Sequence, residues 1–260
     1  KMRIFKTNIL AFLVTSLFSV SLMAAGTLRL DEVAIGEADP AKATDFADGI
    51  IMENVYDALV TEPQGGGPVI GKLAKDWEVS NNGTTITFHL NENVKFSSGN
   101  NMTADDVVYS YERLMNLKLG WSYLFDGWVK GIKKVDSNKV QFDLNEPYAP
   151  FMSSLVRFYI VDSKTLKANE KDSDWGQDYL LANSAGTGAY AITAHDPNVE
   201  TRMAKNNNYF LGISDMAPNE VILKYNLDAP TVRTLISNDE HDISSNWLPT
   251  DVKAAIADSG

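Results

Sequence analysis

Between Leu73 and Leu117 the chain lays down local signals in an order that few architectures can satisfy together. A polar turn, Ser80-Asn81-Asn82-Gly83, separates Trp77-Glu78-Val79 from an alternating stretch over residues 84–90. There Ile86, Phe88 and Leu90 share one face and Thr85, Thr87 and His89 the other, the period-two pattern of a half-buried strand. Val94-Lys95-Phe96 leads into the turn-rich Ser97-Ser98-Gly99-Asn100. Thr103 then stands where a helix cap is needed, and Asp106 three residues on can complete a capping box. Val107, Val108, Tyr111, Leu114 and Met115 follow at helical spacing. The order is strand, hairpin, strand, glycine turn, capped helix.

Further along, the same kinds of signal recur. Residues 27–35 alternate as a strand, and Asp39-Pro40-Ala41-Lys42-Ala43-Thr44-Asp45 precedes a helix expected over residues 47–59, with Ile50, Ile51, Val55 and Leu59 on its buried side. Gly65-Gly66-Gly67-Pro68 lacks the spacing of a phosphate-binding loop and reads as a turn. Residues 135–144 read as a hairpin whose second strand turns Val140, Phe142 and Leu144 inward. In Pro147-Tyr148-Ala149-Pro150-Phe151 the prolines impose an extended approach, and a helix is expected to begin just after the second. Gly186-Thr187-Gly188-Ala189-Tyr190 carries two glycines, read as backbone angles closed to other residues.

Taken together these segments resemble the extracellular solute-binding proteins of the peptide and nickel uptake family, which serve ABC importers. The resemblance rests on the 73–117 signature and on the Asp39–Asp45 stretch, similar to "D-P-x-x-A-x-D". Asn54-Val55-Tyr56-Asp57-Ala58-Leu59-Val60 is similar to "N-V-Y-D-x-L-V", Pro147–Phe151 to "P-Y-A-P-F" and Gly186–Tyr190 to "G-T-G-P-Y". Asn246-Trp247-Leu248-Pro249-Thr250-Asp251-Val252 is similar to "N-L-P-P-E-D-V". It covers residues 27–258, with Ala189 and Asn207 where the family has proline.

What the resemblance implies is an α/β fold: the first lobe of a type II, cluster C periplasmic-binding-protein-like architecture, with a mixed β-sheet and an inserted small α+β subdomain. The main subdomain is expected in two stretches, 27–68 and 182–260, around an insert at 69–181, with the second lobe absent from the chain. The implied function is capture of short peptides in an interlobe cleft and delivery to ABC transporter permease subunits in the inner membrane, by a protein that is monomeric at full length. A bound peptide would pair by β-strand addition. The first-lobe segment at that position is Thr44-Asp45-Phe46, joined by Trp121 and Tyr123 from the insert and by Ser245-Asn246-Trp247 near the hinge. Alternatives in the same transport role are an opine, an oligosaccharide or a nickel complex; a chaperone-like interaction protein is the other class.

The chain's start and charge bear on location. Lys1, Arg3 and Lys6 precede an apolar stretch of fifteen residues, Ile9 to Met23, and then Ala24-Ala25. That is the layout of a signal peptide over residues 1–25 and is shorter than the roughly 20 residues a membrane span needs. Cysteine is absent, so the fold must rest on its core rather than on disulfides, and no lipidated cysteine is available. A freely diffusing periplasmic protein of a Gram-negative cell is expected. Taking Lys1, Arg3 and Lys6 from the 23 basic residues leaves 20 against 34 acidic, a formal charge of −14 beyond residue 25. With no Lys/Arg run, nucleic acid is not an expected partner.

No enzyme is expected. The three histidines, His89, His195 and His241, read as satisfied surface residues, His195 in a turn over residues 193–198. No H-E-x-x-H, G-x-S-x-G, S-x-x-K or cysteine motif occurs. Asp105-Asp106 is explained by helix capping and the N-terminal dipole. No cofactor and no metal site are expected.

Overall fold

The alternating segments assemble into two four-stranded sheets and a two-stranded ribbon. The computed structural model describes residues 26–258, so the leader expected over residues 1–25 lies outside it. In chain order the elements are β1 (Thr27–Glu32), α1 (Asp48–Val55), β2 (Val60–Thr61), β3 (Ile70–Gly71), β4 (Ala74–Ser80), β5 (Thr85–Leu90) and α2 (Ala104–Leu117). There follow β6 (Val129–Asp136), β7 (Lys139–Leu144), α3 (Phe151–Ser154), α4 (Ser163–Asn169) and α5 (Gln177–Leu180). The last stretch holds β8 (Tyr190–Asp196), β9 (Glu200–Lys205), β10 (Glu220–Tyr225), α6 (Ala229–Ser237) and α7 (Thr250–Ala257). None of the described helices is long and apolar enough to cross a membrane.

The first sheet runs β1-β10-β9-β8, and its β1–β10 pair is parallel while the others are antiparallel. The first and last strands of the described residues thus share one sheet. The second sheet, β4-β5-β7-β6, is antiparallel throughout, and α2 packs on β6 and β7. Its inward residues are Ile86, Phe88 and Leu90 from β5 and Val140, Phe142 and Leu144 from β7. Phe142 meets Phe88, Tyr111, Phe151 and Phe158 edge-on at centroid separations of 5.5–6.1 Å. Each such buried aromatic contributes its apolar area and a further ~0.5–1.5 kcal/mol per favourable ring pair.

Two cores form, and they interlock along the chain. Ile51, Met52 and Val55 of α1 pack under the first sheet together with Tyr159, Val161, Leu166 and Leu180 from the middle stretch. Ala41, Leu59 and Val60, from the first stretch, pack instead with the second sheet. Helix α1 therefore ends at Val55, short of the 47–59 helix expected, and Leu59 serves the other core. The cause is competition for the Val55 carbonyl, which accepts the Gly188 N–H at 3.0 Å, while Tyr56 turns extended.

Gly186 and Gly188 are required at this crossing for a different reason from the one expected. Neither takes a positive φ. A Cβ on Gly186 would lie 2.0 Å from the Val55 carbonyl oxygen, and one on Gly188 would lie 2.4 Å from that of Asn54. Close backbone approach, not special dihedral angles, demands glycine.

Candidate functional site

The Thr44-Asp45-Phe46 turn is built around one buried carboxylate. Asp48, the first residue of α1, accepts the N–H groups of Thr44 (3.2 Å), Asp45 (3.1 Å) and Glu37 (3.2 Å). A carboxylate at a helix N-terminus also offsets the helix dipole. The Phe46 N–H goes to the Asp45 side chain at 3.0 Å. The backbone donors of all three residues are thereby occupied within the protein. That leaves the turn no free backbone donor for the strand pairing expected there, and its most exposed large group is the Phe46 ring, which is 76% exposed.

Behind this turn, a second buried group fixes the preceding residues. Arg113 of α2 donates to both oxygens of Asp39 at 2.6 Å, and its Nε donates to the Trp175 carbonyl at 2.7 Å. Both charged side chains are buried. The Asp39 carboxylate also accepts the Ala41 N–H at 2.9 Å. Gly120 closes over the same turn: a Cβ there would lie 2.6 Å from the Ala41 carbonyl oxygen. Trp121 follows directly, so the 39–46 loop and Trp121 are held in one frame.

Thr44, Asp45, Phe46 and Trp121 line a single groove of about 530 Å³, completed by Gly49, Ile50, Glu53 and Asn54 of α1 and by Arg157. The Arg157 guanidinium lies 5.7 Å above the Trp121 ring, a cation–π arrangement. Tyr123, 60% exposed, tilts against Trp121 at 5.9 Å. The α1 residues and Arg157 were not anticipated. The pattern of α1 was partly misread: Ile50, expected on the buried side, is only half-buried and lines the groove with Gly49, Glu53 and Asn54, while Ile51, Met52 and Val55 are the buried residues.

Ser245, Asn246 and Trp247 do not line this groove. Ser245 is buried, and its hydroxyl donates to Glu32 at 2.9 Å while accepting the Trp247 N–H at 3.2 Å. The Asn246 carbonyl accepts from Lys253 of α7 at 3.0 Å. Trp247 presents its ring to solvent, 61% exposed, on the loop before α7.

Two histidine expectations need correction. His241 is fully buried, with its Nε2 3.3 Å from Asp31 Oδ1, and neither ring nitrogen is hydrogen-bonded. It is drawn inside because residues 241–245 lie along the free edge of β1, with Leu30 and Ile243 bridged in parallel. His195 belongs to β8 rather than to a turn; Thr201 hydrogen-bonds its Nδ1 at 2.6 Å, and burial lowers its pKa. His89 pairs with Asp76 across β4 and β5. Asp106 exceeds its capping role. It accepts the Thr103 N–H at 2.8 Å, and its other oxygen accepts the Ser163 hydroxyl at 2.6 Å, tying α2 to α4. Among the described residues no group of three or more His, Cys, Asp or Glu side chains is placed to hold a metal ion.

Residues 68–260 match the family of bacterial extracellular solute-binding proteins, family 5 (middle region). Over 217 residues the chain is 30% identical to a probable D,D-dipeptide-binding periplasmic protein of Escherichia coli, covering 79% of this chain and 41% of that one. Two solved structures share the fold. One is a Campylobacter jejuni protein in complex with Ni(L-His), with TM-score 0.72 and 21% identity, covering 84% of this chain and 43% of that one. The other is a dipeptide-binding protein from Pseudoalteromonas in complex with Met-Leu, with TM-score 0.75 and 21% identity, covering 88% and 48%. The chain spans less than half the length of these relatives.

Proposed function

The chain belongs to the family-5 bacterial extracellular solute-binding proteins, and from that premise we propose that it forms part of the peptide-capturing component of an ABC importer. The observation that carries the reading is the groove in which Phe46 and Trp121, both presented by rigidly held segments, flank the open face of α1. Aromatic rings on fixed backbone bind at low entropic cost, as a receptor for varied short peptides needs. Residues 27–68 and 182–260 form the main subdomain, and 69–181 the inserted one. The protein works in the periplasm after removal of residues 1–25, hands its ligand to inner-membrane permease subunits, binds no nucleic acid and catalyses no reaction.

Thr44, Asp45, Phe46, Trp121 and Tyr123 form one contact surface in this reading. Ser245, Asn246 and Trp247 form a second, in which the exposed Trp247 ring is the anchor and Ser245 holds the loop that carries it. Calorimetry on the intact gene product, against dipeptides, tripeptides and a nickel–histidine chelate, tests the ligand class. Peptides should bind and the chelate should not; saturable binding of the chelate alone would replace the reading. Trp121→Ala and Trp247→Ala should each weaken peptide binding by more than ~1 kcal/mol, the loss typical of a buried aromatic anchor. Unchanged affinity in a folded variant removes that ring from the site.

A further inference from the structure

The groove has two aromatic walls, and they come from different parts of the chain. Phe46 and the open face of α1 belong to its first stretch, whereas Trp121 and Arg157 belong to the middle one. The ion pair that crosses between them, Arg157 to Glu53, is long at 3.9 Å and joins exposed side chains, so it fixes little of their spacing. A backbone contact does more. Gly120 directly precedes Trp121, Ala41 stands five residues before Phe46, and the two meet where the stretches touch.

The two sides of that contact differ in how far they can yield. Ala41 is pinned at its side chain and along its turn. It is buried in the core of the second sheet, its N–H is held by the Asp39 carboxylate at 2.9 Å, and Arg113 holds that carboxylate in turn. The N–H groups of Lys42 and Ala43 both go to the Asp39 carbonyl at 3.0 Å. On the other side stands a single 3₁₀ turn, Gly120–Leu124, in which Trp121 is half-buried and Leu119 and Tyr123 on either side are exposed. Crowding at the contact is therefore relieved by movement of Trp121.

Any side chain at position 120 would create such crowding. A Cβ there would lie 2.6 Å from the Ala41 carbonyl oxygen and 2.9 Å from its carbonyl carbon, where ordinary contact begins near 3.4 Å. The Trp121 wall would have to retreat by about 0.8 Å. We propose that Gly120 is a positioning residue that sets the width of the aromatic groove and through it the size of the peptide side chain the groove selects. The inference rests on the peptide reading above. An apolar pocket that misfits its ligand by a single methylene changes selection by roughly tenfold or more, so a displacement of this order is felt.

The test is calorimetric titration of the intact gene product and its Gly120→Ala variant with Ala-Ala, Ala-Leu and Ala-Trp. The affinity for Ala-Trp relative to Ala-Ala should rise at least about threefold in the variant, because the wider groove favours the bulkier side chain. Position 120 has a φ of +53°, so alanine there also strains the backbone. Gly127→Ala is the control: its φ is +79°, but a Cβ would meet nothing within 4 Å, and its ratio should stay at the unaltered protein's value. If Gly120→Ala does not fold, Ala41→Gly decides. It removes the methyl that anchors the turn in the core, adds no atom, and should narrow the spread of the three affinities. A uniform loss with unchanged ratios in Gly120→Ala, an equal shift in Gly127→Ala, or an unchanged spread in Ala41→Gly overturns the inference and leaves the peptide reading intact. Binding of none of the three, nor of other peptides, by the unaltered protein overturns both.

Discussion

Two seams hold the molecule together, and they are built to different standards. Where α1 and α2 join the two sheets, the buried charges Arg113, Asp39 and Asp57 are each ion-paired and hydrogen-bonded, although the Tyr109 hydroxyl of α2 has no partner. Arg113 meets Asp39 through both oxygens and also reaches the Trp175 carbonyl, and Asp57 takes Lys72 at 2.7 Å and the Thr187 hydroxyl at 2.6 Å. Along the free edge of β1, residues 241–245 are attached by backbone hydrogen bonds from Asp242 and Ile243 to the Arg29 carbonyl and by Ser245 to Glu32, while the buried Asp31–His241 contact forms no hydrogen bond. The outer fastening there, Arg29 to Asp242, is partly exposed. A low dielectric strengthens satisfied pairs and penalises unsatisfied ones, so the first seam should resist local opening and the second should yield first. The tighter seam is also the one that carries the 39–46 turn and Trp121.

The sharpest way to break this comparison is Arg113→Met. It leaves the Asp39 carboxylate buried without its cation, and removal of one partner from a buried ion pair costs ~3–5 kcal/mol. Urea unfolding should show that loss, while Arg113→Met combined with Asp39→Leu should recover much of it. A loss below ~1 kcal/mol for the single variant would place this seam on a level with the other.

Gly188→Ala probes the same seam without altering charge. The added methyl would lie 2.4 Å from the Asn54 carbonyl oxygen and 2.7 Å from that of Val55, both backbone atoms that can move only with α1. Overpacking of this kind costs ~1–3 kcal/mol. The shift should also loosen the α1 face of the groove, so peptide affinity should fall with stability. An unchanged urea midpoint would mean that the helix end is free to move, contrary to the tight seam described.

Much of this was legible in the sequence where the cause is local. The Thr103–Asp106 cap, the residue 135–144 hairpin and the helix start after Pro150 depend on neighbours a few residues away, and each stands where its pattern put it. What stayed hidden depends on partners far along the chain. Asp39 and Arg113 are 74 residues apart, and Asp57 and Thr187 are 130 apart. One hint was available: Arg113 shares the helical stripe of Asp106 and Ser110, both buried, and an arginine on a buried stripe requires a carboxylate. His241 gave no such hint, because a turn after Asp239-Glu240 looks solvated unless one knows that it lies on β1. The groove was half visible: its aromatic residues announced themselves, while Arg157 was brought to it only by the crossing of the two cores.

The gentlest expected effect belongs to the looser seam, through Asp31. Burial raises the Asp31 pKa above the ordinary carboxylate value, against the smaller opposing pulls of the Ser245 N–H and of His241. The folded protein therefore keeps this proton while the unfolded chain releases it. In the interval from the ordinary value, about 4, up to the raised one, Asp31 makes stability fall as pH rises. Asp162 works in the opposite sense: burial pushes its pKa up, but donors from Ser98, Thr165 and Asn100 outweigh that and lower it, so its contribution is lost only as pH drops below the ordinary range. Asp31→Asn removes the first effect and leaves the second. Since Oδ1 of Asp31 has no hydrogen bond to lose, the substitution should change stability at neutral pH by no more than ~1 kcal/mol in either direction. Stability followed across mildly acidic pH should be flatter in Asp31→Asn, while the collapse at lower pH, set in part by Asp162, should persist. A loss of several kcal/mol at neutral pH would mean that the Asp31 carboxylate is a fully engaged partner and that the edge of β1 is fastened as firmly as the junction between the sheets.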